Sequence, residues 1–342
     1  MPKPANPIPN FCITEPALIA KHRELFHYTR PGGFDGILNS QQLWATHYKN
    51  LNDTTEVLHL KEPLRCGLAT RFAAYLHERQ KRSMVFSLKV IDHGGRDKVA
   101  DGLATSMTNS LYTATYGSRP SLQFGAPYIT SFTTHSNEYD AQHGLLSQWR
   151  DYGRDGYCLV FDTKILGGML QTDFDAFYMV HLNLDEVVYS VGEFDIEHQF
   201  GDLMRRCEQY LDAVLATGSA PEMIENGFAP FAAATTLFKH QGFREENEVR
   251  IVAIPGTQAL SDATKAAFPA QFVERPIMEP VEVGEGKGAR WHVSLFSKTG
   301  RDLPLKRVIV CPGPEQQVRF DYAQERVGGK AEVTKSAIPW TG

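Results

Sequence analysis

The chain has 342 residues, a formal net charge of -5 and a pI of about 6.2, so no bulk positive charge attracts it to nucleic acid or to anionic lipid. Hydrophobic residues make up 42% of it and charged residues 22%, the ordinary composition of a globular protein.

Five cysteines are scattered along the chain, and none belongs to a Cys-x-x-Cys pair. Oxidised secreted domains carry denser, even-numbered sets, so this pattern predicts reduced thiols and a cytoplasmic protein. The first ten residues lack the apolar run of a signal peptide, and no stretch is long enough to span a membrane. We therefore expect no membrane partner.

In chain order, four prolines in residues 1–10 predict an extended tail, and residues 11–342 follow as one domain. A capping box at Asp53–Glu56 opens a helical stretch, and residues 52–125 are predicted to be a largely helical insertion. Apolar runs predict strands at residues 25–29, 43–46, 128–133, 156–162, 248–254, 291–296 and 307–311. Apolar stripes predict a helix that begins near Thr14, with Pro16 in its first turn, and a short helix with Phe34, Ile37 and Leu38. Further helices are predicted at residues 60–82, 96–115, 145–152, 193–216 and 221–239.

The predicted strands are short and irregularly spaced, and helices fall between them in groups. Spacing of this kind predicts an α+β fold with helical insertions rather than a regular series of βαβ units.

Several functional classes lack their motifs. The absence of a G-x-S-x-G elbow argues against a serine hydrolase, and the twelve histidines show no H-E-x-x-H spacing, so we expect no metal. Residues 284–288 look like a phosphate-binding loop, but the next segment, 290–296, alternates like a strand instead of opening a helix. A flexible hairpin loop is the better interpretation.

A first group of candidate site residues is His27-Tyr28-Thr29, at the end of a predicted strand and just before Pro31-Gly32-Gly33. A buried histidine bonded to backbone would explain a single His at such a place. Here three consecutive side chains that can form hydrogen bonds lie at the end of a strand, just before a turn. This arrangement indicates ligand contacts instead.

A second group combines Ser131 and Thr133 of a predicted strand with Trp149, Arg150 and Tyr152 of the next helical segment. Hydroxyl-rich strands are often edge strands, and aromatic residues three positions apart on a helix usually belong to a core. The arginine between the two aromatic residues is unusual, and it suggests a contact with a phosphate or a carboxylate.

The third group is the strongest. Glu245, Glu246 and Glu248 crowd the entry to an apolar strand, and alternation puts Glu246, Glu248 and Arg250 on one face. A solvated loop is the simple interpretation. Like charges beside an arginine on a half-buried strand nevertheless cost stability unless they have a partner or a function.

Together and in this order, the motifs resemble a bacterial family known as domain of unknown function 2971. The resemblance spans residues 25–252 and rests on the runs at 25–29, 43–47 with 51–53, 131–133, 145–149 with 152–153, 156–162 and 243–250.

The pattern of a histidine ending the first strand, a hydroxyl-bearing middle strand and a late Glu-x-Glu is also similar to the ADP-ribosyltransferase fold. This second resemblance implies a split mixed sheet with helical insertions and NAD as the substrate. In that fold the first-strand residue holds the ribose of NAD, and the next residue clamps the nicotinamide amide through its backbone. The late glutamate bonds the 2′-hydroxyl of the reacting ribose.

Carried over by position, the resemblance implies that Glu248 acts on the ribose, that Glu246 activates the acceptor, and that His27 completes the catalytic set. Transferases with a first-strand histidine usually have a single late glutamate, whereas Glu-x-Glu usually accompanies an arginine; this chain combines the two patterns. The residues expected to contact NAD are His27, Tyr28, Thr29, Ser131, Thr133, Trp149, Arg150, Tyr152 and Arg250.

These residue types suit cleavage of the nicotinamide–ribose bond, which develops positive charge on the ribose as glycoside hydrolysis does. A carboxylate fixed beside the 2′-hydroxyl stabilises that charge where it forms. The expected function is transfer of ADP-ribose to an unknown acceptor, a protein or a nucleic acid, or hydrolysis of NAD, in a toxin or an antiviral defence effector.

Two alternatives stay open. One is a non-catalytic module of a defence system that binds a nucleotide or a partner in the same cleft. The other is a nuclease or phosphotransferase that uses the glutamate cluster with a metal, although no Asp/His set is available to complete the metal shell.

Overall fold

The computed structural model describes residues 12–14, 16–51, 56–116, 125–190, 195–218, 221–284 and 286–340. The tail predicted at residues 1–10 and the capping residues predicted at 53–55 lie outside this part of the chain. None of the described helices is long and apolar enough to cross a membrane.

The strands form where short runs of β-branched and aromatic residues lie between turns. They are β1 (Cys12–Thr14), β2 (Glu24–Thr29), β3 (Leu43–His47), β4 (Tyr128–Thr133), β5 (Tyr157–Asp162), β6 (Met179–Glu186), β7 (Val188–Ser190), β8 (Phe238–His240), β9 (Glu248–Pro255), β10 (Val281–Val283), β11 (Arg290–Leu295), β12 (Leu305–Val310) and β13 (Glu332–Lys335).

Several helices begin at a side-chain cap: Asn137, Asp162 and Asp195 each accept hydrogen bonds from backbone N–H groups of the following turn. The helices are α1 (Pro16–Lys21), α2 (Pro31–Ser40), α3 (Lys61–Arg82), α4 (Met84–Asp92), α5 (Arg96–Tyr116), α6 (Glu138–His143), α7 (Leu146–Asp151), α8 (Thr163–Ala176), α9 (Ile196–Thr217), α10 (Pro221–Leu237), α11 (Gln258–Ala267) and α12 (Gln316–Val327).

The protein is an α+β structure around a mixed, open sheet, as the irregular spacing of strands and helices predicted. The main path through the sheet runs β1-β6-β9-β4-β2-β5-β12-β13, and a branch runs from β4 through β3 and β11 to β10. The pairs β1–β6 and β12–β13 are parallel, and the other pairs in this sheet are antiparallel. Strands β7 and β8 form a separate parallel pair.

The two faces of the sheet differ in what covers them. One face carries the largest apolar cluster, which includes Phe34 of α2, Leu170 of α8 and Val327 of α12. The other face carries two smaller clusters, one where β6 and β9 meet α10 and one around Trp149 of α7. The sheet surface between those two small clusters is polar.

Helices α3, α5, α9 and α10 pack on one another around a second apolar cluster that includes Leu64, Phe72, Leu111, Leu203 and Phe231. Three of the helices in this region, α3 to α5, lie between β3 and β4 in the chain. The apolar side chains of these helices are therefore buried against one another and not only against the sheet.

Most predicted elements are present within a few residues, and β4 has the predicted bounds. The loop at 284–288 joins the antiparallel strands β10 and β11, as expected of a hairpin. The helix predicted to begin near Thr14 is present and begins at Pro16, directly after the extended segment Cys12–Thr14, which pairs with β6. Strand β6 and helix α8 were not predicted. In α8, Gly167 lies against the side chain of Thr14, so the glycine that weakened the helix pattern serves close packing.

Candidate functional site

The candidate site lies where the sheet divides at one edge of β4. Strand β2 pairs with β4 only at Phe26 and Thr133, whereas β3 pairs with the other end of β4, at Ile129 and Tyr128. The stretch of β4 between these pairings faces a gap between β2 and β3. Along this gap, the backbone groups of β4 are not paired with β2 or β3, so a side chain that enters the gap can contact them.

A pocket of about 410 Å³ opens at this gap, on the polar face of the sheet. The predicted site residues that line it are His27, Tyr28, Thr29, Ser131, Thr133, Tyr152, Glu246, Glu248 and Arg250. A larger cavity of about 680 Å³ lies among the helices, but two of its three arginines, Arg71 and Arg79, are already paired with surface carboxylates. The pocket at the sheet gap is therefore the better candidate for chemistry.

The floor of the pocket is a buried ion cluster of Glu56, Lys239, Glu246, Glu248 and Arg250. Arg250 holds Glu248 with two bonds, Nε to Oε1 at 2.7 Å and Nη2 to Oε2 at 2.8 Å. Lys239 Nζ donates to Glu248 Oε2 at 3.0 Å and also to Glu246 Oε2. Arg250 makes a further bond to Glu56 Oε1.

With every member ionised, the cluster has three negative and two positive charges, a net charge of -1. Glu248 is only 6% exposed. Burial disfavours its ionised form, but the nearby charges of Arg250 and Lys239 outweigh burial and lower the pKa of Glu248 to about 2.

The second carboxylate of the pocket behaves in the opposite way. Burial raises the pKa of Glu246 above its usual value, and the charge of Lys239 offsets this only in part. The two glutamates share one ammonium group, yet their pKa values move apart. Pairs of this kind mark the acid–base residues of many active sites.

Local structure fixes the position of Glu248. A 3-10 turn over Gln241–Glu246 leads to Asn247, whose left-handed backbone with φ of 41° turns the chain into β9. The backbone N–H of Glu248 then donates to the hydroxyl of Tyr189 at 3.0 Å, and Thr133 lies opposite Glu248 on β4. The carboxylate is therefore held by its backbone as well as by its ion pairs.

His27 reaches across the gap. Its Nδ1 lies 3.0 Å from the backbone oxygen of Ser131, and because a carbonyl oxygen only accepts, Nδ1 carries the hydrogen. Burial lowers the pKa of His27, and this hydrogen bond offsets the effect only in part. The neutral ring is left with Nε2 as an unprotonated nitrogen.

The hydroxyl of Tyr28 is already occupied. It accepts a bond from the N–H of Leu145 and lies 3.0 Å from Nε2 of His135. The ring packs edge-on against Trp149 at 4.9 Å between centroids. Tyr28 can therefore offer a ligand its ring edge and its backbone, but not a free hydroxyl.

Hydroxyl groups of β4 and α7 organise the rest of the wall. Thr133 Oγ1 donates to Gln148 Oε1 at 3.1 Å, which holds that amide beside the pocket. Ser131 is exposed to the pocket, and its hydroxyl helps to lower the pKa of the Glu248 carboxyl group. Thr29 makes only a local bond, 3.4 Å from the backbone oxygen of Arg30.

Two predicted contact residues are not brought to the pocket. Trp149 is fully buried, and its Nε1 donates to the backbone oxygen of His143. Arg150 is exposed to solvent and is absent from the pocket wall. Along the short helix α7, Gln148 and Tyr152 (i, i+4) share the face toward the pocket, so the residues between them point elsewhere.

Two further assignments need correction. Glu246 was expected on the same strand face as Glu248, but it belongs to the 3-10 turn before β9 and reaches the cluster from there. Arg250 was expected to bind the ligand. Its guanidinium is instead 2% exposed and committed to Glu56, Glu248 and the backbone oxygen of Thr236. Its role is to position Glu248.

The sequence reasoning missed Lys239, Glu56, Gln148 and Trp44, all of which line the pocket. Lys239 ends a segment that was predicted to be helical, but it lies on β8 and is only 6% exposed. Trp44 was noted only within a run of matched residues. It is 50% exposed, and its ring stacks on His292 with centroids 4.0 Å apart.

No group of three or more His, Cys, Asp or Glu side chains in the described part of the chain is arranged to hold a metal. Lys239 and Arg250 already bind oxygens of the glutamates in the ion cluster, and a metal would need those oxygens.

A family model described as a protein of unknown function, DUF2971, matches residues 148–251. The match begins at Gln148 and contains every member of the ion cluster except Glu56. No curated protein and no solved structure matches the chain. Residues 148–251 therefore resemble the DUF2971 family of proteins of unknown function, which is the family that the sequence motifs indicated.

Proposed function

We propose that this protein cleaves the nicotinamide–ribose bond of NAD and passes the ADP-ribose group to a macromolecular acceptor or to water. The observation that carries the proposal is the glutamate pair in the pocket. Glu248 is fixed and ionised, with a pKa of about 2, whereas Glu246 beside it has a raised pKa. Cleavage of this bond needs one carboxylate to stabilise positive charge and a second group to take up a proton.

In the first step the electron pair of the C–N bond leaves with nicotinamide, which departs as a neutral molecule and needs no acid. Positive charge develops on the ribose. Glu248, in a cluster with a net charge of -1, stabilises that charge without having to move.

In the second step a hydroxyl or water oxygen attacks the ribose carbon and loses a proton. Glu246 is suited to accept it, because its raised pKa makes it a stronger base than Glu248. Lys239 contacts both carboxylates, so it can hold Glu246 close while the charge changes.

The place of the ribose follows from the bonds to Glu248. Arg250 and Lys239 supply three of them, whereas a carboxylate has about four acceptor sites. Arg250 and Lys239 are buried, whereas Ser131 is exposed to the pocket. A ribose hydroxyl can therefore donate to the remaining acceptor site of Glu248, beside Ser131.

The shape of the sheet also supports an ADP-ribosyltransferase-like core. The gap between β2 and β3 along β4 is a split in a mixed sheet, and the pocket lies at that split. His27, at the carboxyl end of β2, spans the gap. Its Nε2 and the backbone of Tyr28 and Thr29 are the groups that we assign to the ribose and to the nicotinamide amide.

A non-catalytic nucleotide-binding module is the second candidate. One observation favours it: three of the roughly four acceptor sites of Glu248 are already occupied by Arg250 and Lys239. In that case the ion cluster would be a structural device that shapes the pocket, and NAD or another nucleotide would bind without reaction.

Incubation of the purified protein with NAD separates the two. Release of free nicotinamide, with ADP-ribose appearing in solution or on an added protein or nucleic acid, is the result that the proposal predicts. Binding of NAD, measured by calorimetry, without any release of nicotinamide would support the binding module and contradict the proposal.

A further inference from the structure

On the far side of β4 from Glu248, the pocket wall carries an exposed tryptophan. Trp44 of β3 lines the pocket and is 50% exposed. Its ring stacks on the ring of His292, with the centroids 4.0 Å apart and the two planes 23° from parallel. Since the buried His292 covers one face of the indole, the exposed area lies on the other side of the ring.

Neighbouring strands hold this ring in place. The backbone oxygen of Trp44 accepts a hydrogen bond from Oγ1 of Thr130 at 3.0 Å, and Trp44 lies opposite Ser294 of β11. Strands β4 and β11 therefore fix β3 from both sides. A flat ring that is already fixed can bind another flat ring at little cost in conformational entropy.

A cation lies on the same wall. Arg290 begins β11 and lines the pocket, two residues before His292, so both side chains lie on one face of that strand. Arg290 is exposed and forms no ion pair with any residue that the structure describes. The other lysine and arginine of the wall, Lys239 and Arg250, are buried and bound to glutamates. Arg290 is therefore the cation of this wall that can bind an anionic group of a ligand.

An aromatic ring beside an arginine suits a nucleotide, because the ring can stack on the base while the guanidinium pairs with a phosphate. Strands β3 and β11 lie two and three strands from β9, which carries Glu248. At about 4.8 Å per strand, this separation is about 10 to 14 Å. A ribose at Glu248 and a base at Trp44 can therefore belong to one dinucleotide.

We propose that Trp44 and Arg290 form the subsite for the adenosine half of NAD, in which the adenine stacks on Trp44 and the pyrophosphate binds Arg290. The inference rests on the proposed function, because it takes the nicotinamide ribose to lie at Glu248. The pyrophosphate carries two negative charges and the ion cluster around Glu248 a net charge of -1, so the phosphates are directed away from the cluster and toward Arg290.

A nucleic acid acceptor is the other source of a base with a phosphate. Grooves that bind a nucleic acid strand carry several cations along its backbone. The described wall offers only Arg290 beyond the cations bound to glutamates, and the whole chain has a net charge of -5. These charges favour the single pyrophosphate of NAD.

Calorimetric titration of the full chain with ADP-ribose tests the subsite, because this probe contains the adenosine half and lacks the bond that the proposed reaction breaks. Trp44→Ala should weaken the binding of ADP-ribose about 10-fold or more, the loss expected for one base–aromatic stack. Nicotinamide mononucleotide lacks the adenosine half, so it should bind Trp44→Ala as it binds wild type.

Trp291→Ala is the matched control. Trp291 is an exposed tryptophan on β11, but alternation turns it away from the face of Arg290 and His292, and it lies outside the pocket wall. This variant should bind ADP-ribose as wild type does.

Fluorescence supplies a second measurement that does not depend on the alanine variant. Stacking of adenine on Trp44 should quench tryptophan fluorescence when ADP-ribose is added to wild type. Trp44→Phe keeps an aromatic ring, so it should bind ADP-ribose within about 3-fold of wild type but lose this quenching.

The arginine is tested in the same titration. Arg290→Gln should weaken the binding of ADP-ribose about 10-fold and make it less sensitive to salt, because a charge-assisted contact is lost. Arg301→Gln is the control, since Arg301 is exposed and lies outside the pocket wall. It should leave the affinity unchanged.

Unchanged binding of ADP-ribose by Trp44→Ala, or an equal loss of nicotinamide mononucleotide binding, would overturn the subsite. So would a Trp44→Ala variant that loses binding of a single-stranded oligonucleotide and keeps that of ADP-ribose, which would assign the ring to a nucleic acid acceptor.

The subsite and the proposed reaction can fail separately. Binding of ADP-ribose that depends on Trp44, without release of nicotinamide from NAD, would contradict the reaction alone. Release of nicotinamide, with ADP-ribose binding that Trp44→Ala leaves unchanged, would contradict the subsite alone.

Discussion

Glu248 and Arg250, two residues apart on β9, form a two-bond ion pair with distances of 2.7 and 2.8 Å. Both side chains are buried, and both point to the face on which the pocket lies. This pairing keeps Glu248 ionised and immobile, which is the property that the proposed chemistry requires.

The pairing predicts that Arg250→Lys loses stability. Lysine keeps the charge but cannot contact Glu248, Glu56 and the backbone oxygen of Thr236 at once. We expect a loss of roughly 3 kcal/mol in the free energy of unfolding by urea, at the lower end for breaking a buried ion pair. The exposed Arg154 is the control, and Arg154→Lys should change this free energy by less than about 0.5 kcal/mol. Equal stability of the two variants would show that the several N–H donors of the Arg250 guanidinium are not needed.

Acid stability should depend on Glu248. Its folded-state pKa, about 2, is below the ordinary 4.5, so its ionised form stabilises the fold. The contribution is complete above pH 4.5 and is lost as the pH falls toward 2, and the shift corresponds to about 3 kcal/mol. The difference in unfolding free energy between wild type and Glu248→Gln should therefore shrink over this interval. A difference that is constant from pH 6 to pH 2.5 would argue against an ionised Glu248.

Substitutions at neighbouring positions of α7 should differ in their effect on stability. Trp149→Ala should cost about 3–5 kcal/mol, since the ring is fully buried. Arg150→Lys should change neither the melting temperature nor NAD binding, because Arg150 lies outside the pocket. Calorimetric titration with NAD measures the second effect. Weaker NAD binding by Arg150→Lys would return this arginine to the site.

Site residues could be predicted from the sequence where their role depends on neighbouring residues in the chain. Alternation along β9 was enough to place Glu248 and Arg250 on one face, and the motif around His27 was enough to place it at a strand end. The partners Glu56 and Lys239 were missed because each forms its ion pairs with residues that only the fold brings close. They lie 194 and 11 residues from Arg250 in the chain. The neighbours of Glu56 indicated only a helix cap, and nothing near Lys239 in the chain distinguishes it from a surface residue.

The sequence also did not predict which side chains of α7 face the pocket. Helix α7 has only six residues, which is too short for an apolar period to show that Gln148 rather than Trp149 faces the pocket. Strand β6 was missed because His181 and Asn183 interrupt its apolar run, although both are buried in the structure.

The most direct test of the central claim compares nicotinamide release by wild type, Glu248→Gln and Glu245→Gln at saturating NAD. Glu245 is the matched control, a neighbouring carboxylate outside the pocket whose contact to Ser147 a glutamine can keep. We predict that Glu248→Gln still folds and binds NAD but releases nicotinamide about 100-fold more slowly, the scale expected when one preorganised electrostatic group is removed. Glu245→Gln should stay within about 3-fold of wild type. Equal rates for wild type and Glu248→Gln, with both proteins folded and NAD bound, would contradict the assignment of Glu248 as the group that stabilises the reacting ribose.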